Sequence, residues 1–340
     1  MILIRVDANE VIGTGHVMRC LSIACAFAEK SKEVKFVTAD HKGDSIIKSK
    51  GFDLICLESE YNVMDQENIV SVIEEYKPEL VIIDSYFVNR EYLSRVHSLC
   101  RIAYIDDING SVWDTDFLIN YNIFGTILDY SGYENTQTSL LLGPKFAPLR
   151  SEFKNIDKHI IKPVTDIMVS AGGSDPEEIT EKIMEGVCSL YKDVHFHFVV
   201  GALNPRLDKI KSLIKPDMIL HVNEQNMSGL MKKCDIAISA AGSTLYELCA
   251  CGTPTITYTL ADNQVLAAEE FDHQGLMLNA GDCRNNALFI ENIEYNLKKL
   301  ILSTEKRMEI SKRMQSLVDG NGAFKIVEAM LTEETLCRIV

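Results

Sequence analysis

Short runs of aliphatic and β-branched residues alternate with amphipathic stretches along the whole chain. In the first half, the apolar runs cover residues 2–7, 34–39, 53–57, 80–84, 101–105 and 117–120, and helical periodicity fills several intervals, including 17–29 and 89–98. The second half repeats the plan with apolar runs at 166–171, 194–200, 218–222, 235–240 and 254–259. Regular strand–helix alternation predicts parallel sheets with right-handed crossovers.

A stretch without clean periodicity separates the two halves. Residues 142–163 contain three prolines and many charged side chains, which is typical of a domain boundary. We therefore predict an α/β protein with two doubly wound, Rossmann-like domains facing a cleft, the first at 1–150 and the second at 164–340. The last helical segments, 306–318 and 323–331, either cap the second domain or cross back to the first. Ligands of such folds bind beyond the carboxyl ends of the strands.

The composition argues against some kinds of binding partner. The 340 residues are 46% hydrophobic and 24% charged, with a formal net charge of −15. That charge argues against nucleic acid or an anionic membrane surface as the main partner. No secretory pattern or membrane-spanning apolar run stands out, so we expect a cytoplasmic protein without membrane insertion. The ten cysteines are scattered and predict reduced thiols rather than a zinc site.

The first apolar run and the segment after it contain several residues that could bind or activate a ligand. Gly13 and Gly15 relax the backbone, and His16 lies in the first turn of the helix that follows. A helix start presents unpaired N–H groups that suit an anion, and its positive end disfavours an imidazolium, which leaves His16 available as a base. Arg5 and Asp7 lie two apart on one face of the strand and need partners or water. A dinucleotide site is less favoured, because the third glycine of G-x-G-x-x-G is missing.

Two loops in the second half resemble each other. Residues 170–175 read SAGGSD and residues 239–244 read SAAGST, and each loop lies between a predicted strand and a predicted helix. Glycine and serine at a helix N-terminus can bind a diphosphate through backbone N–H groups without a lysine. The next helix places Glu247 where it could accept hydrogen bonds from ribose hydroxyls. The candidate nucleotide-binding residues are Gly172, Gly173, Ser174, Gly242, Ser243, Thr244 and Glu247.

Two short motifs are weaker candidates for metal binding. HFH at 195–197 has the spacing of strand ligands without a third ligand nearby in sequence, and DTD at 114–116 resembles the D-x-D of metal-dependent glycosyltransferases. Because solvated loop aspartates and polar strand edges are commoner, we predict no metal and no cofactor. Asp106 and Asp107 end the fifth strand, and the sequence leaves their roles open.

Several motifs together resemble one family. Arg5, Asp7, Gly13, Gly15, His16, Arg19 and Cys20 match the opening signature of the UDP-sugar hydrolases of the pseudaminic acid pathway, which act on UDP-2,4-diacetamido-2,4,6-trideoxy-β-L-altropyranose. Further matches, in order over nearly the whole chain, are Asp84-Ser85-Tyr86, LGPKFAPLRSEF, GGSDP, AAGSTLYE, Asn263-Gln264 and DGNGA. The family includes spore-coat polysaccharide relatives. The second half is also similar to the nucleotide domain of MurG-type glycosyltransferases, which have the GT-B fold.

The resemblance implies roles for individual residues. It implies UDP in the second domain, with Ser243 and Thr244 at the diphosphate and Glu247 at the ribose. His16 would be the catalytic base and Tyr86 a substrate-positioning hydroxyl. The remaining implied substrate contacts are Arg5, Asp7, Gly13, Gly15, Arg19, Asn263 and Gln264.

The leading hypothesis is hydrolysis of the C1–O bond of a UDP-linked diacetamido-trideoxy hexose without a metal. UDP and free sugar are released with inversion, and His16 activates the attacking water. The alternatives are a GT-B glycosyltransferase that uses a UDP-sugar donor, a UDP-sugar 2-epimerase, and a non-catalytic protein that binds sugar nucleotides. The sequence leaves the oligomeric state open.

Overall fold

Two parallel β-sheets with flanking helices make up the protein. The computed structural model describes residues 1–9, 13–64, 66–172, 175–201, 204–284 and 286–337. The strands are β1 (Ile2–Val6), β2 (Val34–Thr38), β3 (Asp53–Cys56), β4 (Leu80–Asp84), β5 (Arg101–Ile105), β6 (Phe117–Asn120), β7 (Ser139–Leu142), β8 (Asp166–Ser170), β9 (His195–Val200), β10 (Met218–Val222), β11 (Ile236–Ala240), β12 (Thr255–Thr259) and β13 (Leu278–Asp282). The α-helices are α1 (Gly15–Glu29), α2 (Asp44–Ser49), α3 (Gln66–Tyr76), α4 (Arg90–His97), α5 (Ile179–Gly186), α6 (Leu207–Leu213), α7 (Met227–Lys233), α8 (Thr244–Cys251), α9 (Val265–His273), α10 (Phe289–Leu302), α11 (Thr304–Leu317) and α12 (Gly322–Cys337).

The first sheet has the strand order β3-β2-β1-β4-β5-β6-β7, and all its pairings are parallel. Every residue of β1 and β4 is buried, because helices cover both faces of the sheet. The chain runs outward on one side from β1 to β3 and then crosses to the other side at β4. The carboxyl ends of β1 and β4 therefore border a topological switch point, where doubly wound sheets bind ligands.

The second sheet follows the same principle. Its order is β10-β9-β8-β11-β12-β13, again with parallel pairings throughout. The direction of winding changes between β8 and β11, so the loops after these two strands flank the second switch point. These are the two loops that the sequence singles out as alike.

The α/β class with two parallel sheets is confirmed. Each of the apolar runs became a strand with ends that shift by at most one residue. The strands β7 and β13, which lie next to a single partner at sheet edges, were not predicted. Their sequences, SLLL and LNAGD, lack the continuous β-branched character that marks the central strands.

The chain divides into two compact units, and the ranges differ from the expected 1–150 and 164–340. Unit 1 comprises Met1–Ser151 with Gly320–Val340, and unit 2 comprises Glu152–Asp319. Within unit 1, α12 packs against α1. The start of α12 fits so closely that a Cβ on Gly322 would overlap the carbonyl oxygen of Ala147. Among the described residues, no helix combines the length and apolar character needed to cross a bilayer.

Candidate functional site

A pocket opens at the switch point of the first sheet. Its lining residues are Asp7, His16, Tyr61, Asp84, Ser85, Tyr86 and Phe87. Asp84 is the last residue of β4, Asp7 follows β1, and His16 lies in the first turn of α1. Residues far apart in sequence meet here because β1 and β4 are neighbours.

The start of α1 is set by backbone geometry rather than by a side-chain cap. Gly13 has φ of +71°, a left-handed conformation that favours glycine, and its N–H donates to the carbonyl of Asn9 at 2.8 Å. Thr14 occupies the N-cap position but its side chain makes no capping hydrogen bond, and no acidic residue lies in the first turn. His16 is the second residue of the helix, so its imidazole lies at the positive end of the helix dipole.

The imidazole of His16 contacts the carboxylate of Asp84. Nδ1 lies 2.6 Å from Oδ1, and the Asp84 side chain is only 1% exposed. Burial alone would raise the pKa of Asp84, but the charge and hydrogen bonds of Arg19, together with His16, hold that pKa well below its usual range. Asp84 is therefore ionised and can only accept, so Nδ1 carries the hydrogen of this bond. A neutral His16 then has its lone pair on Nε2, the nitrogen that a general base needs.

Arg19 connects this pair to a second carboxylate. Its Nε donates to Asp84 Oδ2 and its Nη2 to Asp84 Oδ1, each at 2.6 Å. Its Nη1 donates to Asp107 Oδ2 and to the Tyr121 hydroxyl, each at 2.8 Å. Such a bidentate guanidinium–carboxylate contact fixes orientation as well as charge. Arg19, which the family resemblance implies as a substrate contact, thus holds the side chains of Asp84 and Asp107 together.

Tyr86 contacts His16 through its ring and Asp107 through its hydroxyl. The two rings meet edge-on with centroids 4.9 Å apart, and the phenol donates to Asp107 Oδ2 at 3.0 Å. Burial and the Asp107 charge raise the pKa of Tyr86, so it remains a protonated donor. Its side chain is 45% exposed at the pocket, where a ligand can reach it.

Arg5 and Asp7 form a buried ion pair, with Arg5 Nη1 2.6 Å from Asp7 Oδ2. The other oxygen of Asp7 accepts the backbone N–H of Ala39 at 2.7 Å. Both oxygens of Asp7 thus accept hydrogen bonds from the protein, and the bond to Ala39 links the end of β1 to the segment after β2. Gly15 leaves open space, with no atom within 4 Å of the place where a Cβ would stand.

Four members of this network were not predicted as site residues, namely Asp84, Asp107, Tyr121 and Asn122. Asn122 Nδ2 donates to Asp107 Oδ1 at 3.0 Å, which completes the support of that carboxylate. The neighbouring Asp106 holds its own loop instead, because it accepts the N–H groups of Ile108 and Asn109 and the indole N–H of Trp113. The switch-point rule, applied to the predicted strands, would have placed Asp84 beside His16.

In unit 2, candidate nucleotide-binding residues lie on the two loops at the second switch point. Gly172 has φ of +81°, and both it and Gly242 leave open space where a side chain would stand. Ser243 is the exposed N-cap of α8 and makes no side-chain capping bond. Thr244 begins α8, and Glu247 is half-buried in its first turn. Gly173 and Ser174 lie outside the described residues.

Asn263 and Gln264 follow β12 in a single turn of 3₁₀ helix, Asp262–Gln264. Asn263 is exposed, whereas Gln264 is half-buried. The side-chain oxygen of Gln264 accepts the backbone N–H of Leu260 at 2.9 Å, so one end of this amide holds the turn.

The HFH and DTD motifs have protein partners. In HFH, His197 is buried, and its Nε2 lies 2.7 Å from Asp166 Oδ1. In DTD, Asp114 Oδ1 lies 2.8 Å from His97 Nδ1, and Asp116 accepts the backbone N–H of Ile102 at 2.7 Å. His197, Asp114 and Asp116 therefore each have a hydrogen-bond partner within the protein.

The chain is similar to several known proteins. The Glycosyltransferase family 28 C-terminal domain matches residues 167–328. The uncharacterized protein MJ1062 of Methanocaldococcus jannaschii is 29% identical over 75% of this chain and 54% of its own length, so this chain spans about half of that protein. The spore coat polysaccharide biosynthesis protein SpsG of Bacillus subtilis is 26% identical over 94% of both chains. The UDP-2,4-diacetamido-2,4,6-trideoxy-beta-L-altropyranose hydrolase of Campylobacter jejuni is 26% identical over 72% of this chain and 86% of its own length.

Among solved structures, MurG of Acinetobacter baumannii superposes with a TM-score of 0.70 over 97% of this chain and 99% of its own, at 12% identity. That likeness identifies the fold as the GT-B type. Residues 167–328 thus match the Glycosyltransferase family 28 C-terminal domain, the fold is of the GT-B type, and the predicted resemblance to the UDP-diacetamido-trideoxy-altropyranose hydrolases and SpsG is confirmed.

Proposed function

We propose that this protein hydrolyses the C1–O bond of a UDP-linked diacetamido-trideoxy hexose, releasing UDP and the free sugar with inversion. The observation that carries the proposal is the contact between His16 and the ionised Asp84, which leaves Nε2 of His16 as a base at a pocket. The name of the Campylobacter jejuni relative supports the choice of substrate.

In the proposed reaction His16 Nε2 takes a proton from water as the water oxygen bonds to C1. The C1–O bond to UDP breaks, and its electron pair leaves on the diphosphate. Asp84 stabilises the imidazolium that forms, because its negative charge lies 2.6 Å from Nδ1. No general acid is needed, since a diphosphate is a better leaving group than the sugar alkoxide that glycosidases must protonate. Water that attacks from the face opposite UDP inverts the anomeric centre.

The two units have different proposed roles. In unit 2, backbone N–H groups near Gly172 and Gly242, with Ser243 and Thr244 at the start of α8, would bind the diphosphate. Glu247 would accept from the ribose hydroxyls, and Asn263 and Gln264 would contact the sugar. In unit 1, Gly13 and Gly15 shape the loop before His16, Tyr86 would position the substrate, and the charged residues Arg5, Asp7 and Arg19 would hold this arrangement.

Isotope labelling tests the mechanism directly. A single turnover in H₂¹⁸O should place the label on the sugar and none on UDP. His16→Asn should bind UDP normally and lose about 10²–10⁴-fold in kcat, which is the usual contribution of a general base. His159→Asn, a change at a histidine whose side chain is 78% exposed, is the matched control. Label in the UDP phosphate, or a fully active His16→Asn protein, would exclude the mechanism.

We also propose that the reaction is independent of metal, because backbone N–H groups near Gly172 and at the start of α8 can hold the diphosphate charge. The start of α5 does not contribute, because the N–H groups of Ile179 and Thr180 donate to Asp175 at 2.9 and 3.0 Å. UDP release should continue in EDTA at the untreated rate. A loss of turnover that Mn²⁺ or Mg²⁺ restores would contradict this part of the proposal.

A glycosyltransferase is the second candidate, and the family 28 match at 167–328 favours it. The two functions differ in their need for an acceptor. UDP release from the donor in plain buffer indicates the hydrolase, whereas release only after an acceptor is added indicates the transferase. Solvent deuterium at C2 of the sugar would instead indicate a 2-epimerase, and nucleotide binding without turnover would indicate a binding protein.

A further inference from the structure

Three side chains with metal-ligating atoms, none of them assigned a role above, meet at the carboxyl ends of β2 and β3. One such atom from each of His41, Cys56 and Glu58 lies within 4.8 Å of the others. Cys56 ends β3 and pairs with Thr38 at the end of β2, which brings His41 and Glu58, on the segments that follow, to the same edge of the sheet. Backbone hydrogen bonds of 2.9 Å join these segments, from Leu57 to Thr38 and from Ser59 to Ala39.

The imidazole of His41 is held between two carboxylates. Its Nε2 lies 2.9 Å from Glu58 Oε1, and its Nδ1 lies 2.9 Å from Asp44 Oδ2. Histidines that ligate metals commonly donate their second ring N–H to a carboxylate, which fixes the tautomer and orients the ring. Asp44, only 14% exposed, already occupies that position on the Nδ1 side.

We propose that His41 Nε2, Cys56 Sγ and Glu58 Oε1 bind a divalent metal ion of the zinc class, with Asp44 orienting His41. Nitrogen, thiolate and carboxylate donors together suit Zn²⁺, whereas Mg²⁺ and Ca²⁺ prefer oxygen alone. Three protein ligands leave the fourth tetrahedral position for water. The side chains of His41 and Glu58 are 63% and 73% exposed, so they can adjust to ligand bonds of about 2.0–2.3 Å.

A sulfur ligand separates this site from a set of surface ion pairs. Cys56 is half-buried at the end of β3, and its Sγ donates to the carbonyl of Ala39 at 3.5 Å. A cysteine binds a metal as the thiolate, so the metal would replace this thiol hydrogen.

The location gives the metal a structural effect. β3 is an edge strand of the first sheet and pairs only with β2. A metal ion bound by Cys56, His41 and Glu58 would link the end of β3 to the segment after β2 and so hold this edge strand in the sheet. A ligand that binds only the folded protein raises its stability in proportion to RT ln(1 + [L]/Kd). Zn²⁺ should therefore raise the midpoint of thermal unfolding.

Calorimetric titration of the full chain with ZnCl₂ measures the stoichiometry and the affinity of binding. We expect one ion bound, with weaker binding in Cys56→Ser. Co²⁺ should give a near-ultraviolet thiolate-to-metal band that Cys56→Ser abolishes. Cys25→Ser, a change at an exposed cysteine outside the cluster, is the matched control and should retain both the band and the affinity.

Glu58→Gln should also weaken binding, because an amide is a poorer metal ligand than a carboxylate, while the thiolate band should persist. This variant keeps the test valid if Cys56→Ser is unstable. Unchanged Zn²⁺ affinity in Cys56→Ser or in Glu58→Gln would mean that these side chains do not bind the ion and would overturn the proposal. A thiolate band that persists in Cys56→Ser would also overturn it. Because metal binding is measured directly, neither result depends on the proposed hydrolysis.

Discussion

Replacing Asp84 with asparagine removes one charge while keeping the shape of the side chain. Asp84 Oδ1 accepts from His16 and Arg19, and Oδ2 accepts from Arg19 and, more weakly, from the Cys20 thiol at 3.5 Å. An amide has one accepting oxygen and one donating nitrogen. In either orientation the new NH₂ group therefore faces an N–H of Arg19.

The two orientations of the amide have different effects on His16. If the NH₂ group replaces Oδ1, it can donate to Nδ1 only when His16 carries its hydrogen on Nε2, and the base is lost. If it replaces Oδ2, the tautomer is retained but the imidazolium has lost its counter-charge. In both cases we expect kcat for UDP release to fall by about 10²–10⁴-fold. Breaking a buried pair costs about 3–5 kcal/mol of stability, and we expect the lower end because Asp107 still pairs with Arg19 at 2.8 Å.

Single-turnover UDP release, with UDP affinity measured in parallel, tests this expectation. Asp114→Asn is the matched control, because Asp114 contacts His97 Nδ1 at 2.8 Å but is 63% exposed. The double variant His16→Asn/Asp84→Asn should be about as slow as His16→Asn alone, since the two residues act as one unit. A folded Asp84→Asn protein with unchanged kcat would refute the assignment of Asp84 as the residue that orients His16.

Three further predictions concern nucleotide choice, acid stability and the last helix. UDP should bind more tightly than dUDP by about 1–3 kcal/mol, because the half-buried carboxylate of Glu247 loses a partner with the deoxyribose. Glu247→Ala should shrink the difference, and equal affinities in the wild type would remove Glu247 from the ribose. Burial opposes ionisation of Asp166, yet Lys233 and His197 lower its pKa from 3.8 to about 2, so its stabilising contribution is present above about pH 4 and is lost as the pH falls towards 2. Urea unfolding between pH 5 and pH 2 should show this loss, and Asp166→Asn should flatten it. Gly322→Ala should lower the free energy of unfolding by about 1–3 kcal/mol through its clash with Ala147, whereas Gly110→Ala, where the nearest atom would be 3.8 Å away, should have little effect.

The central strands could be predicted because their residues are apolar without interruption. Ile2–Val6 and Leu80–Asp84 are buried throughout, so their composition alone marks them. The edge strands Ser139–Leu142 and Leu278–Asp282 are only partly buried and include Ser, Asn, Gly and Asp, so their hydrophobic pattern is weak. Edge strands can tolerate such residues because only one side is paired.

Candidate site residues could be predicted where several functional residue types lie close together in the sequence. His16 stood out because two glycines precede it at a helix start. Asp84 lies 68 positions away, and its link to His16 depends on which strands are neighbours, a property of the sheet rather than of either segment. Tyr121 is separated from Arg19 by 102 positions and follows a strand whose own pattern indicates only a core.

The return of α12 to unit 1 affects the order in which the protein can fold during synthesis. The ribosome makes β1 to β7 first, then the whole of unit 2, and only afterwards the helix that packs against α1. Until then, the face of α1 that α12 covers stays exposed while unit 2 emerges. Unit 2 is continuous and can fold as it leaves the exit tunnel, whereas unit 1, with the candidate catalytic residues, is completed last. A ribosome that stalls before Gly320 would therefore present an incomplete unit 1 to chaperones and proteases.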